Sequence, residues 1–287
     1  MKKKILVTGG AGFVGSNLCK KLIEDENNEV YSLDNYFTGS INNHHDGVTY
    51  LKGDCENIER IINFKPDYIY HLGEYSRVEQ SFEDVNTVWK FNKIGMLSIL
   101  EFCRKNACKI IYAGSSTKFG DGGLGRSQSP YAWSKASNTE LLVNYGNWFN
   151  VQFAIVYFYN VFGDNEISNG KYATLIGIFK EKLKNKKKLT VVSPGTQKRN
   201  FTHIDDIING IIIVGKNGYG DDFGIGSDSS YSILEIAEMF GGDIEMLPER
   251  KGNRMTADVV SAKTKALGWK CQNDIVTYIN KLKNENN

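Results

Sequence analysis

Short apolar and β-branched runs alternate, along the first half of the chain, with longer segments in which apolar residues recur every three or four positions. The short runs, such as KILVTG, EVYSLD and KIIYAGSS, predict strands. The longer segments, such as SNLCKKLIEDE and PYAWSKASNTELLVNYGNWF, predict amphipathic helices. A strand returns in the same direction only after a crossover of a dozen or more residues, so this alternation predicts an α/β fold with a doubly wound parallel sheet.

The pattern loosens in the second half of the chain. GKYATLIGIFKEKLK and SILEIAEMF predict helices, and LTVVS predicts a strand between them. We therefore expect a first domain over residues 1–162 and a smaller C-terminal lobe over residues 163–287, with some of the chain crossing back to the first domain. Since no Pro-rich or Ser-rich linker separates the two, we expect them to share an extensive interface.

Charge and cysteine content narrow the classes of partner. Thirty-five Lys and Arg residues oppose 33 Asp and Glu residues, for a net charge of +2, which disfavours a nucleic-acid or membrane partner and favours a small molecule. Five cysteines without a CxxC pair indicate reduced thiols and no metal site. Reduced thiols lead us to expect a cytoplasmic protein, and no apolar run reaches membrane-spanning length.

The glycines of GGAGFVG follow the first predicted strand and open a helix, in the order Gly9, Gly12, Gly15. Glycines at such a turn let backbone amides approach a pyrophosphate at the positive end of a helix. Asp34 stands 19 residues past Gly15, at the end of the second predicted strand. A carboxylate there accepts hydrogen bonds from a ribose 2′-hydroxyl and repels a 2′-phosphate, which favours NAD over NADP. Asp54, after the third strand, is either an adenine contact or an ordinary turn aspartate.

SPYAWSK places a phenol and an ammonium on one face of a helix that Ser129 caps and Pro130 starts. A phenol has an ordinary pKa of about 10, so a tyrosine that acts as a base near neutrality needs a positive charge beside it. Tyr131 and Lys135 are therefore either ordinary helix surface or a base with its electrostatic partner. The spacing by itself leaves both interpretations open.

These motifs, with others in a fixed order, resemble the extended short-chain dehydrogenase/reductases, and within them the NAD-dependent nucleotide-sugar epimerase/dehydratase family typified by UDP-glucose 4-epimerase. The likeness runs from Lys3 to about Trp269. Its further marks are GDC, HLGEYSRVEQS, AGSSTKFG, FYNVFG and RNFTHIDD. The resemblance implies a Rossmann-type first domain with a nucleotide-sugar-binding second lobe.

The resemblance also assigns roles to single residues. It makes Tyr131 the catalytic base, Lys135 its partner and a ribose contact, and Ser115 the hydroxyl that bonds the sugar oxygen. The expected NAD contacts are Gly9, Gly12, Phe13, Val14, Gly15, Asp34, Asn35, Asp54, Cys55, Leu72, Gly73, Asn92 and Lys135. The expected substrate contacts are Ser76, Ser116, Thr117, Tyr131, Asn160, Lys171, Arg199 and Arg254.

The residues after Ser115 favour one activity within the family. Dehydratases of the family carry Asp and Glu there, because elimination of water needs an added acid and base, whereas this chain has Ser116 and Thr117. The resemblance then implies a nucleotide-sugar 4-epimerase that acts on a UDP-glucose or UDP-N-acetylglucosamine type of substrate through a transient 4-keto sugar and tightly bound NAD. The alternatives are a 4-dehydrogenase or reductase that releases the keto sugar, and a non-catalytic NAD-binding regulator.

Several further features bear on that assignment. Glu74 is expected to contact the sugar or support the site. The loop is short, with Tyr131 only 16 positions after Ser115, and Tyr157 stands where the family often has an arginine. Long helices predicted over residues 84–106 and 130–148 have apolar faces that suit a four-helix contact across a twofold axis, as in the family, so we expect a homodimer.

Overall fold

The computed structural model describes residues 2–249 and 259–286. In chain order, its strands are β1 (Lys3–Thr8), β2 (Asn28–Asp34), β3 (Val48–Lys52), β4 (Tyr68–His71), β5 (Lys109–Ala113), β6 (Phe153–Phe158), β7 (Val161–Phe162), β8 (Leu189–Val192), β9 (Lys198–Asn200), β10 (Thr202–His203), β11 (Gly220–Ile225), β12 (Ser230–Ser232) and β13 (Ile244–Leu247). Its α-helices are α1 (Phe13–Leu22), α2 (Ile58–Ile61), α3 (Val85–Val88), α4 (Gly95–Asn106), α5 (Pro130–Phe149), α6 (Leu175–Lys184), α7 (Ile204–Asn217), α8 (Ile233–Phe240), α9 (Ala262–Ala266) and α10 (Ile275–Asn286).

The central sheet has seven strands in the order β11-β6-β5-β4-β1-β2-β3, and every neighbouring pair is parallel. Helices cover both faces, so strand residues point alternately into two cores. Leu6 packs with α2, α4 and α5, whereas Ile5 and Val7 pack with α1 and α7. The prediction of a doubly wound parallel sheet is confirmed.

A third core lies in the C-terminal half, where α6, α8 and α10 pack on the parallel pair formed by β8 and β13. Part of this half returns to the central sheet, because α7 packs on one face and β11 pairs with β6 at the edge. The boundary at residue 162 stays a prediction.

The helix predicted over residues 84–106 is continuous but contains a wider turn. The π-helical segment Trp89–Ile94 lies between α3 and α4. Such segments are rare and often mark functional sites. Among residues 2–249 and 259–286, no helix combines the length and apolar character that a membrane span needs.

Parallel strands end at one edge of the sheet, and that edge builds the site. The chain leaves β1 at Gly9, β4 at Leu72 and β5 at Gly114, and each of these loops borders a cavity of about 480 Å³. The strand order reverses between β1 and β4, which is where open α/β sheets bind ligands.

Candidate active site

The glycine loop between β1 and α1 requires residues without side chains. Gly9 has φ +73°, and a Cβ on it would lie 2.9 Å from the backbone nitrogen of Gly73. A Cβ on Gly15 would lie 2.0 Å from the Gly9 carbonyl oxygen. The loop therefore packs directly on its neighbours, and α1 begins at Phe13 beside the cavity. This arrangement fits a pyrophosphate at the positive end of a helix.

Asp34 ends β2 and is 6% exposed. Its Oδ2 accepts a hydrogen bond from the Ala11 amide at 2.9 Å, and its Oδ1 accepts one from the Tyr36 amide at 2.7 Å. Burial raises the pKa of this carboxyl, although the two amides act in the opposite direction. A carboxylate has about four acceptor positions, so it retains acceptors for ribose hydroxyls.

Asp54 lies farther along the same side of the cavity. Its Oδ1 accepts a hydrogen bond from Asn35 Nδ2 at 2.7 Å, and its Oδ2 lies 2.9 Å from Lys90 Nζ. Burial raises the pKa of this carboxyl, but the hydrogen bonds from Lys90 and Asn35 outweigh burial and lower it. Lys90 itself lines the cavity, a position that no motif indicated. The adenine contact of Asp54 stays a prediction.

The reactive residues meet where β5 ends and α5 begins. Ser129 caps α5 by accepting a hydrogen bond from the Ala132 amide at 3.0 Å, and Pro130 is the first helical residue, as predicted. Tyr131 Oη then lies 3.1 Å from Ser115 Oγ, and donates a hydrogen bond to it. Both side chains line the cavity. A phenol and a hydroxyl are therefore within one hydrogen bond of each other at the cavity wall.

Lys135 lies one turn farther along α5 and is 5% exposed. Its Nζ donates to the Ala113 carbonyl oxygen at 2.6 Å and lies 2.6 Å from Glu74 Oε2. The ammonium also lies 4.9 Å from the centre of the Tyr112 ring. Lys135 is consequently held in the cavity wall by a carbonyl, a carboxylate and an aromatic ring.

Glu74 is the buried carboxylate of this cluster, and its sugar contact stays a prediction. Its Oε2 accepts a hydrogen bond from Tyr112 Oη at 2.9 Å, and its Oε1 accepts one from Asn138 Nδ2 at 3.0 Å. His71 Nε2 lies 3.5 Å from Oε1. Burial raises the pKa of Glu74, but the charge of Lys135, with His71, outweighs it and lowers the pKa.

Most of the residues predicted from the sequence border this one cavity. The cavity-lining set is Gly9, Gly12, Phe13, Val14, Gly15, Asp34, Asn35, Asp54, Cys55, Leu72, Gly73, Ser76, Ser115, Ser116, Thr117, Tyr131, Lys135 and Asn160. Asn92, Lys171 and Arg199 are not among the lining residues, and Arg254 lies outside the described residues. Their ligand contacts stay predictions.

Asn92 is fully buried in the π-helical segment and acts on the protein backbone. Its Oδ1 accepts a hydrogen bond from the Tyr75 amide at 2.7 Å, and its Nδ2 donates to the Tyr75 carbonyl oxygen at 3.2 Å. Nδ2 also lies 2.9 Å from Ser134 Oγ. Asn92 therefore fixes the loop that carries Glu74 and Ser76, rather than facing the cavity.

Lys171 and Arg199, which are not among the lining residues, make contacts with other parts of the protein. Lys171 Nζ is 2.9 Å from Asp84 Oδ1, so an ion pair holds it against the segment before α3. Arg199 lies in β9, which pairs with β12, and its Nη1 donates to the Lys198 carbonyl oxygen at 2.8 Å.

The chain departs from the family pattern in the short stretch between Ser115 and Tyr131 and at Tyr157, and the structure shows how each is folded. The short stretch between Ser115 and Tyr131 folds into 3₁₀ turns over 116–119 and 121–127. Tyr157, where an arginine is common, donates to Asp221 Oδ1 at 2.6 Å. Lys118 Nζ lies 2.7 Å from Asp221 Oδ2. Where the family often has an arginine, this chain therefore has a tyrosine that shares an aspartate with a lysine.

The structure also adds cavity residues that the sequence did not indicate. An aromatic cluster covers one side, with the Phe37 ring centre 5.1 Å from those of Phe91 and Tyr172. Arg77 Nε donates to the Tyr172 carbonyl oxygen at 2.8 Å, which ties this segment to the loop after β4. Phe37, Phe91 and Arg77 line the cavity. HLGEYSRVEQS contains Arg77, but the motif carries no sign that its guanidinium holds a distant loop.

Comparison with known proteins agrees with this geometry. Residues 5–226 match the model of the family described as the NAD dependent epimerase/dehydratase family. The chain is 29% identical over 305 residues to a putative UDP-glucose 4-epimerase of Methanocaldococcus jannaschii, covering 98% of this chain and 99% of that one. It is 28% identical to UDP-glucuronic acid decarboxylase 6 of Arabidopsis thaliana, covering 93% of this chain and 83% of that one.

The fold is also shared with solved structures. The UDP-glucose 4-epimerase of Thermus thermophilus, in complex with NAD, superposes with a TM-score of 0.89 at 23% identity, covering 99% of this chain and 98% of that one. The glycine loop, Asp34 and the pair of Ser115 and Tyr131 thus occur on a fold that this chain shares with that structure. The chain belongs to the NAD-dependent epimerase/dehydratase family, and NAD is its cofactor.

Proposed function

We propose that the protein is a nucleotide-sugar 4-epimerase that acts on a UDP-glucose or UDP-N-acetylglucosamine type of substrate. The observation that carries the proposal is the hydrogen bond between Tyr131 Oη and Ser115 Oγ, beside Lys135, in the cavity that also contains the glycine loop and Asp34. A base, a hydroxyl donor and a dinucleotide pocket are the parts that oxidation of a sugar hydroxyl needs.

The residues divide the chemistry between them. The glycine loop and Asp34 would hold the cofactor, and NAD, when bound, would supply a reversible hydride acceptor for the sugar carbon. Inversion of that carbon requires the keto sugar to present its other face when it is reduced again. Tyr131 takes the proton of the 4-hydroxyl and gives it back, while Ser115 hydrogen-bonds the same oxygen. Lys135 supplies the positive charge that favours the phenolate. Because the 4-keto sugar is consumed in the same pocket, no net oxidation results.

Epimerisation is favoured over dehydration by the charges along the cavity. Elimination of water needs an acid and a base beside the reacting carbons, whereas the residues after Ser115 are Ser116 and Thr117. Four carboxylates of the described residues line the cavity. Asp34, Asp54 and Glu56 border the cofactor side, where Lys90 pairs with Asp54 and Glu56, and Glu74 is held by Lys135. Asn160 and Ser76 line the remaining wall, where we place the nucleotide sugar.

The test is incubation of the purified protein with UDP-, GDP- and dTDP-sugars, followed by NMR of the products. Interconversion of gluco and galacto forms without added NAD is expected. Accumulation of NADH together with a ketone would instead assign a dehydrogenase that releases its product. UDP-glucuronic acid belongs in the panel because a curated relative is named a UDP-glucuronic acid decarboxylase, and release of CO₂ from it would replace the epimerase proposal.

We also propose that the enzyme works as a homodimer in the cytoplasm. Large apolar side chains are exposed along the π-helical segment, α4 and α5: Trp89, Ile94, Leu97, Trp133 and Phe149. The Trp89 and Trp133 rings stack at 5.5 Å and join the two helices into one apolar face. The cysteines are free thiols, as expected in a reducing compartment.

Light scattering after size-exclusion chromatography tests the dimer. We expect twice the chain mass of 32.3 kDa at micromolar concentration. Trp133→Glu is expected to give monomers, because a charge would have to be buried in the apolar contact. Ile41→Glu is the control for a charge introduced at an exposed apolar side chain, because Ile41 is 70% exposed and lies outside the π-helical segment, α4 and α5. A wild-type monomer would contradict the proposal.

A further inference from the structure

A buried carboxylate that the proposed chemistry does not use lies against the catalytic lysine. The Glu74 side chain is 1% exposed, and its Oε2 is 2.6 Å from Lys135 Nζ. Tyr112 and Asn138 donate hydrogen bonds to its two oxygens. A charge in such a position is costly to bury unless its partners are in place. Glu74 is therefore a buried carboxylate with two hydrogen-bond donors and with the Lys135 ammonium as its counter-ion.

The partners of Glu74 determine its charge. The pKa of Glu74 is raised by burial but held below its usual value overall by the nearby charge of Lys135. Burial, and then the Glu74 charge, raise the pKa of Tyr112 well above its usual range, so Tyr112 keeps the proton that it donates. Glu74 is thus a carboxylate, and a full negative charge lies beside the Lys135 ammonium.

The same contacts restrict what Lys135 can offer to the cavity. An ammonium has three N–H donors. One is directed to the Ala113 carbonyl oxygen and one to Glu74. One donor remains for a ribose hydroxyl or for Tyr131. Glu74 therefore limits the direction of the ammonium and also offsets part of its positive field.

Several other titratable groups surround the pair. Those that face Glu74 are His71 of β4, Tyr112 of β5, Lys135 of α5, Lys93 of the π-helical segment and Cys55 before α2. Around Tyr131, Tyr75 and Tyr172 lie in the same packed cluster, and Arg77 lines the cavity with it. Burial raises the pKa of Cys55 to about 12, so that thiol is neutral. The Glu74 and Glu101 variants described below keep all of these residues.

We propose that Glu74 is a positioning residue that aims the Lys135 ammonium and, by offsetting its charge, sets the pH at which Tyr131 acts as a base. The inference rests on the proposed role of Tyr131. Removal of the negative charge leaves Lys135 uncompensated, which favours the phenolate at lower pH. In Glu74→Asp the negative charge is kept but lies farther from Lys135. Tyr131 should then also lose its proton at a lower pH, by a smaller amount than in Glu74→Gln.

The first measurement is the pH dependence of kcat for Glu74→Gln and Glu74→Asp. The acidic limb is expected to move to lower pH by about one unit in Glu74→Gln, as a nearby like charge is removed. It is expected to move in the same direction by less in Glu74→Asp, whose shorter side chain retains the charge. Glu101→Gln is the matched control, because Glu101 also accepts a tyrosine hydrogen bond, from Tyr145 at 2.9 Å, and does not line the cavity.

A second measurement separates this inference from the proposed function. The phenolate absorbance of Tyr131 is titrated without substrate, as the difference between each protein and the same protein carrying Tyr131→Phe. A lower midpoint in Glu74→Gln or Glu74→Asp supports the inference even if no sugar is epimerised. An unchanged or higher midpoint in either folded variant overturns it, including when epimerisation is found. Thermal unfolding of each variant identifies the folded ones.

Discussion

The two sides of the cavity are held together in different ways. On the cofactor side, backbone groups make the main contacts: the Gly9 amide donates to the Leu33 carbonyl oxygen at 2.8 Å, and the Ala11 amide donates to the Asp34 carboxylate at 2.9 Å. On the reactive side, side chains from distant parts of the chain meet, since Asn138 and Glu74 are 64 positions apart. The first side is a backbone cradle and the second a side-chain network, so mutations should affect them differently.

The largest effect is expected on the reactive side. Tyr131→Phe removes the hydroxyl that donates to Ser115 and keeps the ring, so it should lower kcat by about 10³-fold, the usual size of an acid–base contribution. NAD content after purification should not change. Tyr145→Phe is the control, because it removes a hydroxyl from the same helix that bonds Glu101 instead. Full activity in Tyr131→Phe would refute the assigned base.

The cofactor side should respond through the backbone. Gly9→Ala places a Cβ 2.9 Å from Gly73 at a positive φ, so it should lower the free energy of unfolding by about 3 kcal/mol and reduce the NAD retained on purification. Gly122→Ala is the matched control. Gly122 has φ +67° with no atom within 4 Å, so the backbone strain alone should cost about 1 kcal/mol. Equal losses from the two substitutions would show that the contact with Gly73 is unimportant.

A smaller effect, on NAD affinity, is expected when the charge of Asp34 is removed and its shape is kept. Asp34→Asn keeps an oxygen that accepts one of the two amides but loses the charge, so NAD affinity should fall about tenfold and the discrimination against NADP should narrow. Isothermal titration with both dinucleotides measures the change. Unaltered discrimination would mean that a group other than Asp34 excludes the 2′-phosphate.

The contrast between the two sides also explains which residues could be predicted. Gly9, Gly15 and Asp34 lie within one strand–helix–strand unit, so local pattern is sufficient to find them. Tyr131 and Lys135 were placed by their helical spacing and by motif resemblance. For Asn92 the resemblance implies a cofactor contact, which stays a prediction, and the structure adds that its amide is bonded to the Tyr75 backbone.

The pattern of residues along the chain is sufficient to predict the parallel sheet, the glycine loop, the position of Asp34 and the helix start at Ser129, because each depends on periodicity or on the spacing of a local motif. The contacts of Glu74 with Lys135, of Lys90 with Asp54 and of Arg77 with the Tyr172 segment are seen only in the folded protein. These contacts join residues tens of positions apart, and their partners become neighbours only when the strands pair and the helices pack. No periodic pattern along the chain records that proximity.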